Sequence, residues 1–215
     1  MAVAHRPRIL IGEDHQLVGE AFKHLLESEF NVIGIVNDGR ALVQLAAEVR
    51  PDVVIADISM PLLNGLEAGE RIMQLSPPPK LIFVTMNSSP EIAAEAFRRG
   101  ASAFVVKQST AQDLVIAVRR VLRNQSYLSP LITQETVEFL LRSGGISRPE
   151  RQLTARQAEI LQLLAEGKAM KEVAYILNIK QGTVAFHKYK IMEALGVNSN
   201  AALIQYAIRN HVVAS

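Results

Sequence analysis

The sequence predicts two domains of different class: an α/β domain on a doubly wound, five-stranded parallel sheet, then a small all-α domain of four helices. Three observations predict it. In the first 125 residues, five short apolar runs alternate with stretches of helical apolar spacing. From Thr154 onward only the helical spacing remains. The charge also changes along the chain. Residues 1–129 carry 13 Lys/Arg against 14 Asp/Glu, a net of −1, and residues 151–215 carry 8 against 4, a net of +4. Continuous apolar strands alternating with amphipathic helices imply a parallel sheet covered on both faces.

Element by element, Arg8-Ile9-Leu10-Ile11 is a strand that ends at Glu13-Asp14. Leu17, Ala21 and Leu25, with Val18, Phe22 and Leu26 beside them, repeat as a helix face. Val32-Ile33-Gly34-Ile35 is a second strand, and the helix over 39–49 is stopped by Pro51. Val53-Val54-Ile55-Ala56 is a buried strand ending at Asp57, followed by a helix marked by Leu66, Gly69, Ile72 and Met73. Leu81-Ile82-Phe83-Val84 ends at Thr85, and a helix over 90–99 closes at Gly100. Ala103 to Val106 ends at Lys107, and Leu114, Val118, Val121 and Leu122 mark the fifth helix.

The first domain is expected over residues 1–125. Residues 126–152 read as a linker with a short amphipathic helix on Leu131, Ile132, Val137, Leu140 and Leu141, broken at Ser143-Gly144-Gly145. The second domain occupies 153–215. Thr154 and Gln157 have the spacing of a capping box. Ile160, Leu161, Leu163 and Leu164 give the first helix its core face, and Gly167 ends it. Val173, Ala174 and Leu177 mark a short second helix. A third spans 181–195 and ends at Gly196, and Ser199 caps a fourth carrying Ala202, Leu203, Tyr206 and Ala207.

Composition narrows the class. With 49% hydrophobic and 20% charged residues the chain is neither disordered nor fibrous. It has no cysteine, which rules out disulfides and thiolate metal sites. No apolar run approaches the roughly 18 residues of a spanning helix, and the N-terminus reaches acidic residues too early for a secretory signal. A cytoplasmic location, without membrane contact, is expected.

Four strands each deliver polar residues to the carboxyl end: Glu13-Asp14, Asp57, Thr85 and Lys107. In open α/β sheets functional groups gather at that edge. Three carboxylates share a pocket only if a cation or protons offset their repulsion. Oxygen ligands with open water positions favour Mg²⁺, and a lysine and a hydroxyl suit phosphoryl oxygens. The set points to phosphoryl transfer onto Asp57 as nucleophile. Taken singly, a strand-end Asp is usually a turn or cap residue, and a strand-end Lys is usually solvated.

Residues 8–123 resemble the receiver domain of response regulators, a flavodoxin-like fold. The matching segments are Ile11-Gly12-Glu13-Asp14-His15, Val54-Ile55-Ala56-Asp57-Ile58-Ser59-Met60-Pro61 with Asn64-Gly65, Phe83-Val84-Thr85-Met86, and Gly100-Ala101 through Phe104-Val105-Val106-Lys107. The resemblance implies that Asp57 accepts phosphate from a sensor histidine kinase. It implies that Asp14 and Asp57 bind Mg²⁺ directly, Glu13 through water, and Ser59 through its backbone carbonyl. Thr85 and Lys107 would contact the phosphoryl group, and Phe104 stands at the switch aromatic, turning inward as Thr85 moves. Glu13 replaces a frequent Asp.

The basic charge of the rear domain and the spacing Lys171-Glu172-Val173-Ala174 to Thr183-Val184 suit a helix-turn-helix, although a generic helical domain with solvated lysines has the same composition. On helix 181–195, Gly182, Ala185, Phe186 and Tyr189 share one face, with Lys188 and Lys190 flanking it toward phosphates. Residues 153–210 resemble the LuxR-type domain of NarL/FixJ-class regulators. The run is Leu153-Thr154-Ala155-Arg156-Gln157, Glu159-Ile160-Leu161, Leu164-Ala165-Glu166-Gly167-Lys168, Lys171-Glu172-Val173-Ala174, Leu177, Ile179, Thr183-Val184, Phe186-His187, Ile191-Met192 and Leu195-Gly196-Val197. Ala169 and Lys180 stand where that family has a capping Ser, and Ala185 where it often has Lys.

The expected function is a non-enzymatic, phosphorylation-dependent transcription regulator that dimerises on promoter DNA, with RNA polymerase as a further candidate partner. Two rivals are a DNA-binding regulator that works without phosphorylation, and an aspartyl-phosphate phosphohydrolase. The latter class carries a second acid two residues after the nucleophile, where this chain has Ser59.

Overall fold

The computed structural model describes residues 6–108, 111–132, 153–210 and 212–213. The chain divides into two compact units, an α/β unit and a helical unit.

The α/β unit is built from β1 (Arg8–Gly12), α1 (Gln16–Leu26), β2 (Asn31–Val36), α2 (Gly39–Val49), β3 (Val53–Asp57), α3 (Gly65–Ile72), β4 (Lys80–Thr85), α4 (Pro90–Arg98), β5 (Ala103–Val106), α5 (Ala111–Leu122) and β6 (Tyr127–Leu128). The strands form one sheet in the order β2-β1-β3-β4-β5-β6, with every neighbouring pair parallel. β1, β3 and β4 are therefore inner strands, and their carboxyl ends lie side by side. Their burial is complete or nearly so, which is why these segments read as continuous apolar runs. Alternate residues serve opposite faces. Ile9, Ile11, Ile55, Ile82, Val84 and Val105 pack with Leu114, Ala117, Val118 and Val121 of α5. On the other face, a Cβ added at Gly69 of α3 would lie 2.6 Å from the Phe83 ring, so this helix seats directly on β4.

Two expectations change. The sheet has six strands, not five. β6 is only two residues long and carries no readable period, so its segment reads as linker. Tertiary pairing makes it a strand: the Ser129 N–H donates to the Phe104 carbonyl at 2.9 Å, and the Tyr127 hydroxyl donates to Asp113 Oδ1 at 2.6 Å. Burial, then the Asp113 bond, push the Tyr127 phenol above its ordinary pKa. Leu17, placed by spacing on the apolar face of α1, is 87% exposed. It lies in the first turn of α1, where the following residues Val18 and Gly19 turn inward instead. The expected linker helix falls on Leu131, Ile132, Val137, Leu140 and Leu141, and from residue 133 onward it lies outside the described residues.

The helical unit comprises α6 (Ala155–Ala165), α7 (Met170–Ile176), α8 (Gln181–Leu195) and α9 (Asn200–Arg209). The capping box closes as expected: Thr154 Oγ1 accepts the Gln157 N–H at 3.3 Å, and Gln157 Oε1 accepts the Thr154 N–H at 2.8 Å. Ser199 caps α9 through the Ala202 N–H at 3.1 Å. Ala169 and Lys180 supply no side-chain cap, but Glu172 accepts the Ala169 N–H at 2.6 Å, which keeps half of a capping box before α7. Gly196 ends α8 with φ +64°, a left-handed conformation that glycine adopts without a Cβ clash. Ile160, Leu161, Leu163, Val173, Leu177, Val184, Ile191 and Leu203 close a single core.

Candidate functional site

The carboxyl edge of the sheet collects the polar residues that the strands deliver. Asp57 is the last residue of β3 and Thr85 the last of β4, while Glu13 and Lys107 directly follow β1 and β5. Asp57 and Thr85 are 3% exposed and Glu13 is 1% exposed. Lys107 Nζ lies 2.8 Å from Asp57 Oδ2 and 2.6 Å from Glu13 Oε2, so one buried ammonium bridges two buried carboxylates. Burial disfavours the Lys107 charge, but Asp57 and Glu13 outweigh it and raise its pKa above the ordinary lysine value. Burial lifts the Glu13 carboxyl above its ordinary pKa. The Lys107 contact opposes that shift and the Asp57 charge reinforces it.

Ligand atoms of Glu13, Asp14, His15 and Asp57 lie within 4.8 Å of one another. Asp14 Oδ1 is buried without a hydrogen bond. Its close neighbour is His15 Nδ1 at 2.8 Å, and the same nitrogen is 3.2 Å from Glu13 Oε1. Clustered carboxylates with a buried oxygen suit a bound cation. Three carboxylates supply hard oxygen ligands and too few of them for a closed Ca²⁺ cage, so the donor set fits Mg²⁺ with open positions.

Backbone geometry frames Asp57. Its Oδ1 accepts the Ser59 N–H at 3.3 Å. Gly65 begins α3 so close beneath it that an added Cβ would sit 2.0 Å from the Asp57 carbonyl oxygen. Thr85 Oγ1 accepts the Asn87 N–H at 3.0 Å, and the Thr85 carbonyl accepts the Lys107 N–H at 2.7 Å, tying the two residues' backbones together. Phe104 is already completely buried. It sits mid-strand in β5, paired with Phe83 and Leu128 on its two sides.

Two participants were missed from sequence. His15 touches both acids, and its position beside them was the available signal. Gly65 was seen only as part of a motif, since nothing local to it reveals the proximity of Asp57.

Lys107→Ala leaves Glu13 and Asp57 buried without their cation. Breaking a buried pair costs about 3–5 kcal/mol, and a loss of that order is expected. Thermal melts in chelator should show it. Adding Mg²⁺ should stabilise the variant more than the wild type, and equal stabilisation would contradict a shared cation site.

In the helical unit, α8 turns Val184 and Ile191 into the core. Gly182, Ala185, Phe186, Tyr189 and Lys190 face solvent, while Thr183 and Lys188 are half-buried. Gln181, also exposed, extends this face by one residue that the spacing rule had omitted. Lys190 Nζ lies 2.7 Å from Glu193 Oε2, with both side chains exposed.

Residues 9–119 match the family model described as the response regulator receiver domain, and residues 151–207 match that of the bacterial regulatory proteins of the luxR family. The chain belongs to the response regulators, in the class with a LuxR-type rear domain. This response regulator is 33% identical to the oxygen regulatory protein NreC of Staphylococcus carnosus over 214 residues, 96% of this chain and 99% of NreC. It is 33% identical to the transcriptional regulatory protein LiaR of Bacillus subtilis over 208 residues, 96% and 99% of the two chains. Among solved structures it is similar to RcsB of Salmonella enterica serovar Typhimurium bound to promoter rprA with the phosphomimetic BeF₃⁻. The TM-score is 0.61 at 29% identity, covering 94% of this chain and 98% of that one. Among the described residues, no helix is long and apolar enough to cross a membrane.

Proposed function

We propose that this response regulator is phosphorylated on Asp57 by a sensor histidine kinase and, as a homodimer, binds promoter DNA through α8. The carrying observation is the shared ion pair: Lys107 within 2.8 Å of Asp57 and 2.6 Å of Glu13, beside a buried Asp14 oxygen. Glu13, Asp14, Asp57 and the Ser59 carbonyl would hold Mg²⁺. When bound, the ion neutralises phosphoryl oxygens and the clustered acids.

An Asp57 carboxylate oxygen attacks phosphorus of the kinase phosphohistidine. The P–N bond breaks, its electron pair stays on the imidazole nitrogen, and that nitrogen takes a proton. Lys107, already positioned at Asp57, pairs with the new phosphoryl oxygens, and the Ser59 N–H and the Thr85 hydroxyl are donors at the same edge. The product carries about −1.5 to −2 charges where one carboxylate stood. That draws Lys107 from Glu13 toward the phosphoryl group. Because the Lys107 N–H is bonded to the Thr85 carbonyl, the pull acts on the ends of β4 and β5. Thr85 moving toward the phosphoryl group would act on the packing of Phe104, which is buried on β5.

The bound RcsB structure supports the DNA reading by likeness. The absence of a second acid at Ser59 favours a phosphoacceptor over a phosphohydrolase. The test is full-length protein binding to promoter duplex with and without a small phosphodonor, across salt concentrations. Tighter binding with phosphodonor is expected, as is an affinity that falls steeply with salt. Equal affinity in both states removes the switch, and a flat salt dependence removes phosphate contact.

A further inference from the structure

α8 offers an unusual surface for an element expected to read base edges. Phe186 is 60% exposed and Tyr189 65% exposed, with Ala185 exposed between Gln181 and Tyr189 on the same side. At Gly182, an added Cβ would meet nothing within 4 Å, so the first turn is open to close approach. No cation stands among Gln181, Gly182, Ala185, Phe186 and Tyr189. Lys190, exposed at its edge, lies 2.7 Å from Glu193, and Lys188 is half-buried.

Major-groove chemistry limits what such a face can recognise. Guanine offers two acceptors, O6 and N7, which call for a forked or cationic donor. Gly182, Ala185 and Phe186 have none, and Tyr189 has a single hydroxyl. The thymine 5-methyl is the one apolar feature of the groove, and an alanine methyl or an aromatic edge fits it. Gln181 can donate to and accept from adenine N7 and N6.

We infer that α8 selects its half-site through thymine methyl groups met by Ala185 and Phe186, with adenine addressed by Gln181, so that A·T pairs and not guanine set specificity. This rests on the reading that α8 enters the major groove.

The test begins with full-length protein, phosphodonor present, selecting duplexes from a random library. Thymines of the selected site are then replaced singly by deoxyuridine, which removes the methyl and leaves every hydrogen bond. One or two replacements per half-site should weaken binding roughly threefold to tenfold. Phe186→Ala should lose sensitivity to at least one of them. Ala185→Lys, a change at an exposed position, should shift selection toward guanine at one step. Strong binding to a selected site that no deoxyuridine weakens would overturn the methyl readout while leaving DNA recognition intact. Selection of guanine-centred sites by the native chain would do the same. Failure to enrich any duplex would remove the DNA reading itself.

Discussion

Asp57→Asn is expected to reduce phosphoryl labelling from a small phosphodonor to the background of the buffer. The amide keeps the shape and burial of the side chain but is not a nucleophile at neutral pH. The fold should survive, because Lys107 retains Glu13 at 2.6 Å as a partner and the cluster loses one of its mutually repelling charges. The measurement is incorporation of labelled phosphate in Mg²⁺, with lability to hydroxylamine as the mark of an acyl phosphate, beside a thermal melt. A folded variant that still takes up hydroxylamine-labile phosphate would place the acceptor elsewhere.

Gly65→Ala is expected to be the most damaging small substitution near the site. The new Cβ would fall 2.0 Å from the Asp57 carbonyl oxygen, 2.8 Å from its carbon and 2.9 Å from the Ile58 Cα. All three are backbone atoms that cannot rotate aside. Overpacking costs about 1–3 kcal/mol where side chains can give, and the upper end is expected here. The strain lands on the acceptor itself, and a displacement of about 1 Å can cost on the order of 10²-fold in rate. Denaturant unfolding and Mg²⁺ titration calorimetry should both report it. Gly182→Ala is the control. Its Cβ meets nothing within 4 Å, so the helix propensity gain of up to about 1 kcal/mol should appear as stabilisation. Equal behaviour of the two variants would mean that α3 can shift away from Asp57 freely.

These effects differ in how far a one-dimensional reading could see them. The strands β1, β3, β4 and β5 were visible because inner parallel strands are buried on both faces and therefore spell apolar runs, each ending in a polar residue. The helical unit was visible from its spacing and from Thr154, Gln157 and Ser199, whose capping bonds depend only on neighbours within three residues. Local rules failed where partners are distant. β6 exists because Phe104 and Asp113 hold it. Leu17 carries an apolar side chain that the core does not reach.

By itself, the sequence determined which residue types arrive at the end of each strand and which helix carries an apolar outer face, since both follow from short-range periodicity. Only the tertiary structure decided that one lysine lies between two carboxylates, that His15 joins the acids, that Gly65 must lack a side chain, and that Phe104 is enclosed. Electrostatic energy and steric overlap depend on distances of a few ångströms between residues far apart in the chain, and those distances come into being only when the strands pair.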